Sequence, residues 1–88
     1  MRKPPDEPLL KALAAEIKER RAQLSFSQEE LAHLADLNRT FVGKLELAQT
    51  QPSLTVLFAL ARALEVDVEK FVAKVASRAE KERRALRR

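Results

Sequence analysis

The 88-residue sequence predicts an all-α domain of five helices, and three observations predict it. Apolar residues recur at helical spacing in five separate stretches, with no strand-like alternation anywhere. Four of those stretches follow a residue able to cap a helix, namely Ser27, Asn38, Ser53 and Asp67. Glycine occurs once, while Ala and Leu are abundant, a composition that favours helix.

Met1 to Pro8 is Pro-rich and charged and reads as a flexible N-terminal arm. The first helix carries the stripe Leu10, Leu13, Ala14, Ile17 and Leu24. Arg21 falls on that same stripe, where a lone cation is costly unless paired. Either it meets a carboxylate, or it extends past the helix end into solvent. The second helix is expected over 28–35, capped by Ser27 and packed through Leu31, Leu34 and Ala35 with Ala32 beside them, and with Phe26 able to staple onto Leu31. After the break Asp36-Leu37-Asn38, Asn38 can cap a third helix over about 39–47, packed through Val42 and Leu45. Two short helices joined by a tight turn, the second led by polar residues, make a helix-turn-helix. Such a unit usually lays its second helix in the DNA major groove.

A loop over 48–52 leads to Ser53, the expected cap of a fourth helix from Leu54 to Leu64. Glu65-Val66 then links to a fifth helix capped by Asp67, with the stripe Val68, Phe71, Val72 and Val75. The chain thus divides into an arm (1–8), a helix-turn-helix domain (9–76) and a basic tail (77–88). The tail keeps helix formers and possible pairs such as Glu80 with Arg84, but has almost nothing to bury and is expected to fray. The fourth helix is apolar almost all round and needs cover on every side. Its spare face, Val56 and Leu60, with Phe71 and Val75 nearby, is expected to pair two copies as a homodimer. The alternative is that the first and fifth helices cover that face within a monomer.

Composition removes several other classes of function. There is no cysteine, hence no disulfide or thiolate metal site, and a reducing cytoplasm is the expected setting. The longest apolar stretch is too short to span a bilayer, and the N-terminus has no signal-peptide core, so no membrane partner is expected. Residues 1–76 carry eleven Lys/Arg and eleven Asp/Glu, so the net charge of +4 resides wholly in the tail. A domain this balanced can attract nucleic acid only by segregating its charges by face. His33 lies off the second helix's stripe with no ligand partner at metal spacing, and Glu29-Glu30 suits the helix dipole. No nucleophile–base set, paired catalytic carboxylates or phosphate loop is present. Neither enzyme activity, metal nor cofactor is expected.

In this arrangement the chain resembles the Cro and phage-repressor type of helix-turn-helix regulator, also called xenobiotic-response-element-like, from about Leu13 to Val75. The likeness rests on Ser27-Gln28-Glu29-Glu30-Leu31-Ala32, Val42-Gly43-Lys44-Leu45-Glu46 and Gln51-Pro52-Ser53-Leu54-Thr55-Val56-Leu57, in order and at family spacing. Leu37-Asn38-Arg39-Thr40-Phe41-Val42 is further similar to the recognition helix of restriction-modification controller proteins. The resemblance implies base contacts from Arg39, Thr40, Gly43 and Lys44, and phosphate contacts from Gln28, Asn38, Thr50 and Gln51. It also implies a structural ion pair between Arg21 and Glu46. Phe41 either packs on the DNA backbone or covers the core.

The family usually places glycine where this chain has Ser25, Asp36 and Ala48. The only glycine, Gly43, instead lies inside the recognition helix, either to admit DNA closely or as tolerated drift. The implied function is a transcription regulator acting as a homodimer on a near-palindromic operator in double-stranded DNA. The alternatives are the antitoxin of a toxin–antitoxin pair or a protein-interaction adaptor on the same fold, with an unspecified protein partner.

Overall fold

The computed structural model describes residues 4–87, and among them every regular element is helical. The helices are α1 (Glu7–Gln23), α2 (Gln28–Leu34), α3 (Arg39–Glu46), α4 (Leu54–Ala63) and α5 (Val68–Leu86). Their starts follow from local chemistry. Ser27 and Glu30 form a reciprocal capping box: Ser27 Oγ accepts from the Glu30 amide at 3.0 Å and Glu30 Oε1 from the Ser27 amide at 2.9 Å. Asn38 Oδ1 accepts from the Thr40 amide at 2.7 Å, and Ser53 Oγ from the Val56 amide at 3.2 Å. Asp67 stands at the N-cap of α5 but makes no cap hydrogen bond; its carboxylate pairs with Lys70 at 3.5 Å instead.

The first four helix ends share one geometry. Ser25, Asp36, Ala48 and Glu65 all adopt left-handed backbone, with φ of 58°, 55°, 58° and 57°. At each, the next residue's amide reaches back to the helix: Phe26 to Arg21 O, Leu37 to Ala32 O, Gln49 to Lys44 O and Val66 to Ala61 O, at 2.7–3.0 Å. This is the Schellman closure, which glycine ordinarily serves. The three glycine-less family positions thus keep the glycine backbone, and a fourth, Glu65, joins them.

Ile17, Leu31, Val42, Leu45, Leu60, Leu64 and Phe71 are fully buried and form the centre of the core. Each contributes about 1.5–3 kcal/mol of transfer free energy. α1 and α5 lie side by side, and α3 packs against both α1 and α2, so the core holds α3 from two sides.

Three expectations are corrected here. Leu34 is not a core residue: it is more than half exposed, while Leu31, Ala32 and Ala35 are buried as expected. The expected dimer face is also turned the wrong way. Leu60, Phe71 and Val75 are 0%, 1% and 6% exposed within a single chain, and Val56 packs half-buried against the same cluster. Three of these four residues therefore have no surface to offer a partner. Period alone cannot tell which side of an all-apolar helix faces inward. The large apolar side chains that α4 and α5 turn outward are Leu54 and Phe58, at 70% and 43% exposure, Val72, and Leu86 at the end of α5.

The third correction concerns the termini. The tail does not fray: α5 continues to Leu86 and docks along α1. Ala79, 3% exposed, allows the helices to approach closely, and ions on the rim do the rest. Arg78 donates to buried Glu16 at 2.6 Å and also to Glu19, while Arg83 donates to Asp6 Oδ2 at 2.7 Å. Asp6 itself caps α1 through the Leu9 amide, so the last residues of the expected arm belong to that helix and its cap, and residues 1–3 lie outside the described range. The Glu80–Arg84 pair forms loosely, at 3.7 Å.

Candidate nucleic-acid interface

α3 is short enough that its two sides do different work. Val42, Leu45 and Glu46 face inward and are buried, while Arg39, Thr40 and Lys44 are exposed and Gly43 is half-exposed. Positions 39, 40, 43 and 44 are related by steps of three and four, so they form one continuous outward surface. Neither Arg39 nor Lys44 makes an ion pair among the described residues, which leaves both cations available to a partner. Phe41 is half-buried against the core and belongs to packing.

Gly43 has no packing reason to be glycine. A Cβ built there meets nothing within 4 Å, and its backbone is not left-handed. What the missing side chain changes is the outer contour of α3: a shallow place between the Arg39 and Lys44 side chains.

The inner end of α3 is tied by charge. Arg21 Nε donates to Glu46 Oε2 at 2.8 Å and Arg21 Nη2 to Glu46 Oε1 at 2.9 Å, a two-bond fork. Arg21 Nη1 also donates to Phe26 O at 2.9 Å, fastening the α1–α2 turn to the same node. Burial pushes the Glu46 carboxyl up, but the hydrogen bonds from Arg21 and Gln28 and the charges of Arg21 and Lys18 outweigh it. The carboxyl is held below its ordinary range. The arginine that periodicity alone left misplaced therefore has its carboxylate here.

Gln28 stands differently from expectation. Its side-chain amide donates to Glu46 Oε1 at 3.0 Å, so one of its two N–H groups is occupied inside the protein. Asn38 is exposed, and its oxygen caps α3. Thr50 is half-buried and Gln51 exposed in the loop between α3 and α4, and His33 is exposed on α2. Sequence reasoning passed over Arg20, which donates to Leu64 O at 2.7 Å and Glu65 O at 3.0 Å and so closes the end of α4 onto α1. Its targets are backbone carbonyls, which leave no signature in residue types. Among the described residues there is no cluster of His, Asp or Glu fit to hold a metal ion, and no helix long and apolar enough to cross a membrane.

Comparison with known proteins gives a consistent result. The helix-turn-helix family model matches residues 17–71. The chain is 35% identical over 60 residues to the control protein C.SmaI of Serratia marcescens, covering 68% of this chain and 71% of that protein. The restriction-modification controller C.AhdI of Aeromonas hydrophila superposes with a TM-score of 0.68 at 34% identity, over 70% of this chain and 94% of the other. The controller C.Esp1396I, solved as a tetramer in complex with its natural 35 base-pair operator, superposes with a TM-score of 0.73 at 25% identity, over 81% and 93%.

Proposed function

Because the chain belongs to the Cro- and repressor-type helix-turn-helix family, whose members here are DNA-binding controllers and regulators, we propose that it is a homodimeric transcription regulator that reads a near-palindromic operator through α3. One observation carries the reading. The outward side of α3 presents unpaired Arg39 and Lys44 around the shallow Gly43, while its inward side is locked by the buried Glu46. A rigid helix with free donors on one face is what base readout requires. Arg39 and Lys44 donate to guanine O6 and N7, the Thr40 methyl meets a thymine methyl, and Gly43 lets a base edge approach the backbone.

The Asn38 amide and the Thr50 and Gln51 side chains hold phosphates on either side of α3, and Gln28 contributes the N–H that Glu46 leaves unused. Leu54 and Phe58, one turn apart on α4, form the pairing surface with Val72 of α5, setting two copies of α3 about 34 Å apart, one turn of DNA. The regulator works in the cytoplasm, without cofactor or catalysis.

Selection of bound duplexes from a random pool tests this reading. An enriched inverted repeat with half-sites about 10 base pairs apart is the expected result. Absence of any enriched sequence, together with duplex binding that does not depend on salt, would overturn it.

A further inference from the structure

We infer that Gln28 is a specificity-determining positioning residue: by hydrogen-bonding Glu46 it fixes the setting of α3 on α2, and so decides which bases Arg39 and Lys44 can reach. The inference rests on the proposed reading of DNA by α3, and goes beyond it by giving Gln28 a role directed into the protein.

Three elements converge on the Glu46 carboxylate, the last residue of α3. α1 supplies the Arg21 fork at 2.8 and 2.9 Å, and α2 supplies the Gln28 amide at 3.0 Å on the oxygen that Arg21 Nη2 also uses. The Arg21 fork joins α3 to α1 and, through Phe26 O, to the turn before α2. It does not touch α2 itself. Among the described residues the Gln28–Glu46 bond is the one side-chain hydrogen bond between α2 and α3. Besides it, the two helices are joined by the short turn over 35–38 and by the apolar core cluster to which α2 gives Leu31 and Ala32 and α3 gives Val42 and Leu45.

Apolar contact is non-directional. It sets the rotation of α3 on α2 less sharply than a hydrogen bond to a carboxylate 4% exposed, which has a defined length and direction. Bidentate base contacts tolerate little displacement, because both bonds must reach one base edge at once. A small turn of α3 therefore changes which base Arg39 meets before it changes how strongly phosphates attract the protein.

The Gln28→Met variant keeps the length and bulk of the side chain and removes the donor. Its binding is measured on the duplex enriched by the wild type and on a scrambled duplex, alongside a thermal melt and amide spectra of the DNA-free protein. The expected result is a loss of discrimination between the two duplexes of about tenfold, on top of an equal weakening on both from the phosphate contact that the same side chain gives up. In the free protein, amide shifts should appear at Gly43 and Lys44. Gln28→Lys, which restores a donor toward Glu46, should recover the discrimination ratio. It also serves as the readout should Gln28→Met not fold.

A uniform loss on both duplexes, with the ratio intact, would identify Gln28 as a phosphate contact only and overturn the inference. So would a Gln28→Met or Gln28→Lys protein whose ratio moves against these expectations. A wild type that enriches no sequence fails the underlying reading instead, so the two failures are distinguishable.

Discussion

Arg21 and Glu46, 25 positions apart in the chain, meet through two parallel hydrogen bonds and join the end of α1 to the end of α3. Glu46 is 4% exposed and the Arg21 side chain 22%, so the carboxylate end of the pair is buried, and breaking it costs more than its net worth. Glu46→Ala leaves the guanidinium without its partner and should lower stability by about 3 kcal/mol, read from denaturant melts. A melt equal to wild type would remove the pair from the list of what holds α3.

The same pair sets a pH dependence. The Glu46 carboxyl titrates below its ordinary 4.5 in the folded chain. Its contribution is therefore complete above the unfolded value and is lost as pH falls through the lower folded value. Stability measured from pH 7 down to about 3 should fall more steeply for the wild type than for Glu46→Gln, which has no proton to take up there. Parallel curves would contradict this.

Ala48 ends α3 in left-handed backbone with φ of 58°, where a Cβ costs roughly 1–2 kcal/mol. Ala48→Gly relieves that strain and returns part of it as unfolded-chain entropy. A net gain of about 0.5–1 kcal/mol is expected, seen as a rise in Tm. A fall in Tm would mean that the turn is held by contacts of the Ala48 methyl.

Gly43→Ala separates folding from function. The added methyl meets no atom of the protein, so the helix should gain up to about 1 kcal/mol in stability. If a base edge approaches this backbone, the same methyl should weaken binding to the selected operator and leave random-duplex binding alone. Greater stability with unchanged operator affinity would assign Gly43 to drift.

Leu54→Asp and Leu60→Asp test the dimer surface against the core. Leu54 is 70% exposed, and its variant should fold and sediment as a monomer. Leu60 is 0% exposed, and a buried unpaired carboxylate there should unfold the chain. A folded monomer from Leu60→Asp would reverse the assignment of faces, and a dimeric Leu54→Asp would move the interface elsewhere.

The helices and their starts were legible in the sequence because they depend on local chemistry. Ser27, Asn38 and Ser53 cap within three residues of themselves, and the 3.6-residue period needs no knowledge of the partner helix. Arg21 was legible as an anomaly, since a cation on an apolar stripe demands a carboxylate, though only the family likeness pointed to Glu46. Tertiary structure alone decided which side of α4 is buried. Val56, Leu60, Leu54 and Phe58 are all apolar, and only the placement of the neighbouring helices turns Leu60 inward and Leu54 outward. It also decided that the tail is helix: Ala79, Arg78 and Arg83 look solvated until α1 and its cap supply Glu16, Glu19 and Asp6 across the interface. Gln28 shows the same limit at the site, because a glutamine's donor is aimed by what the fold sets 3.0 Å away. Backbone conformation and capping are fixed by near neighbours in the chain, whereas burial and ion pairing are fixed by neighbours in space.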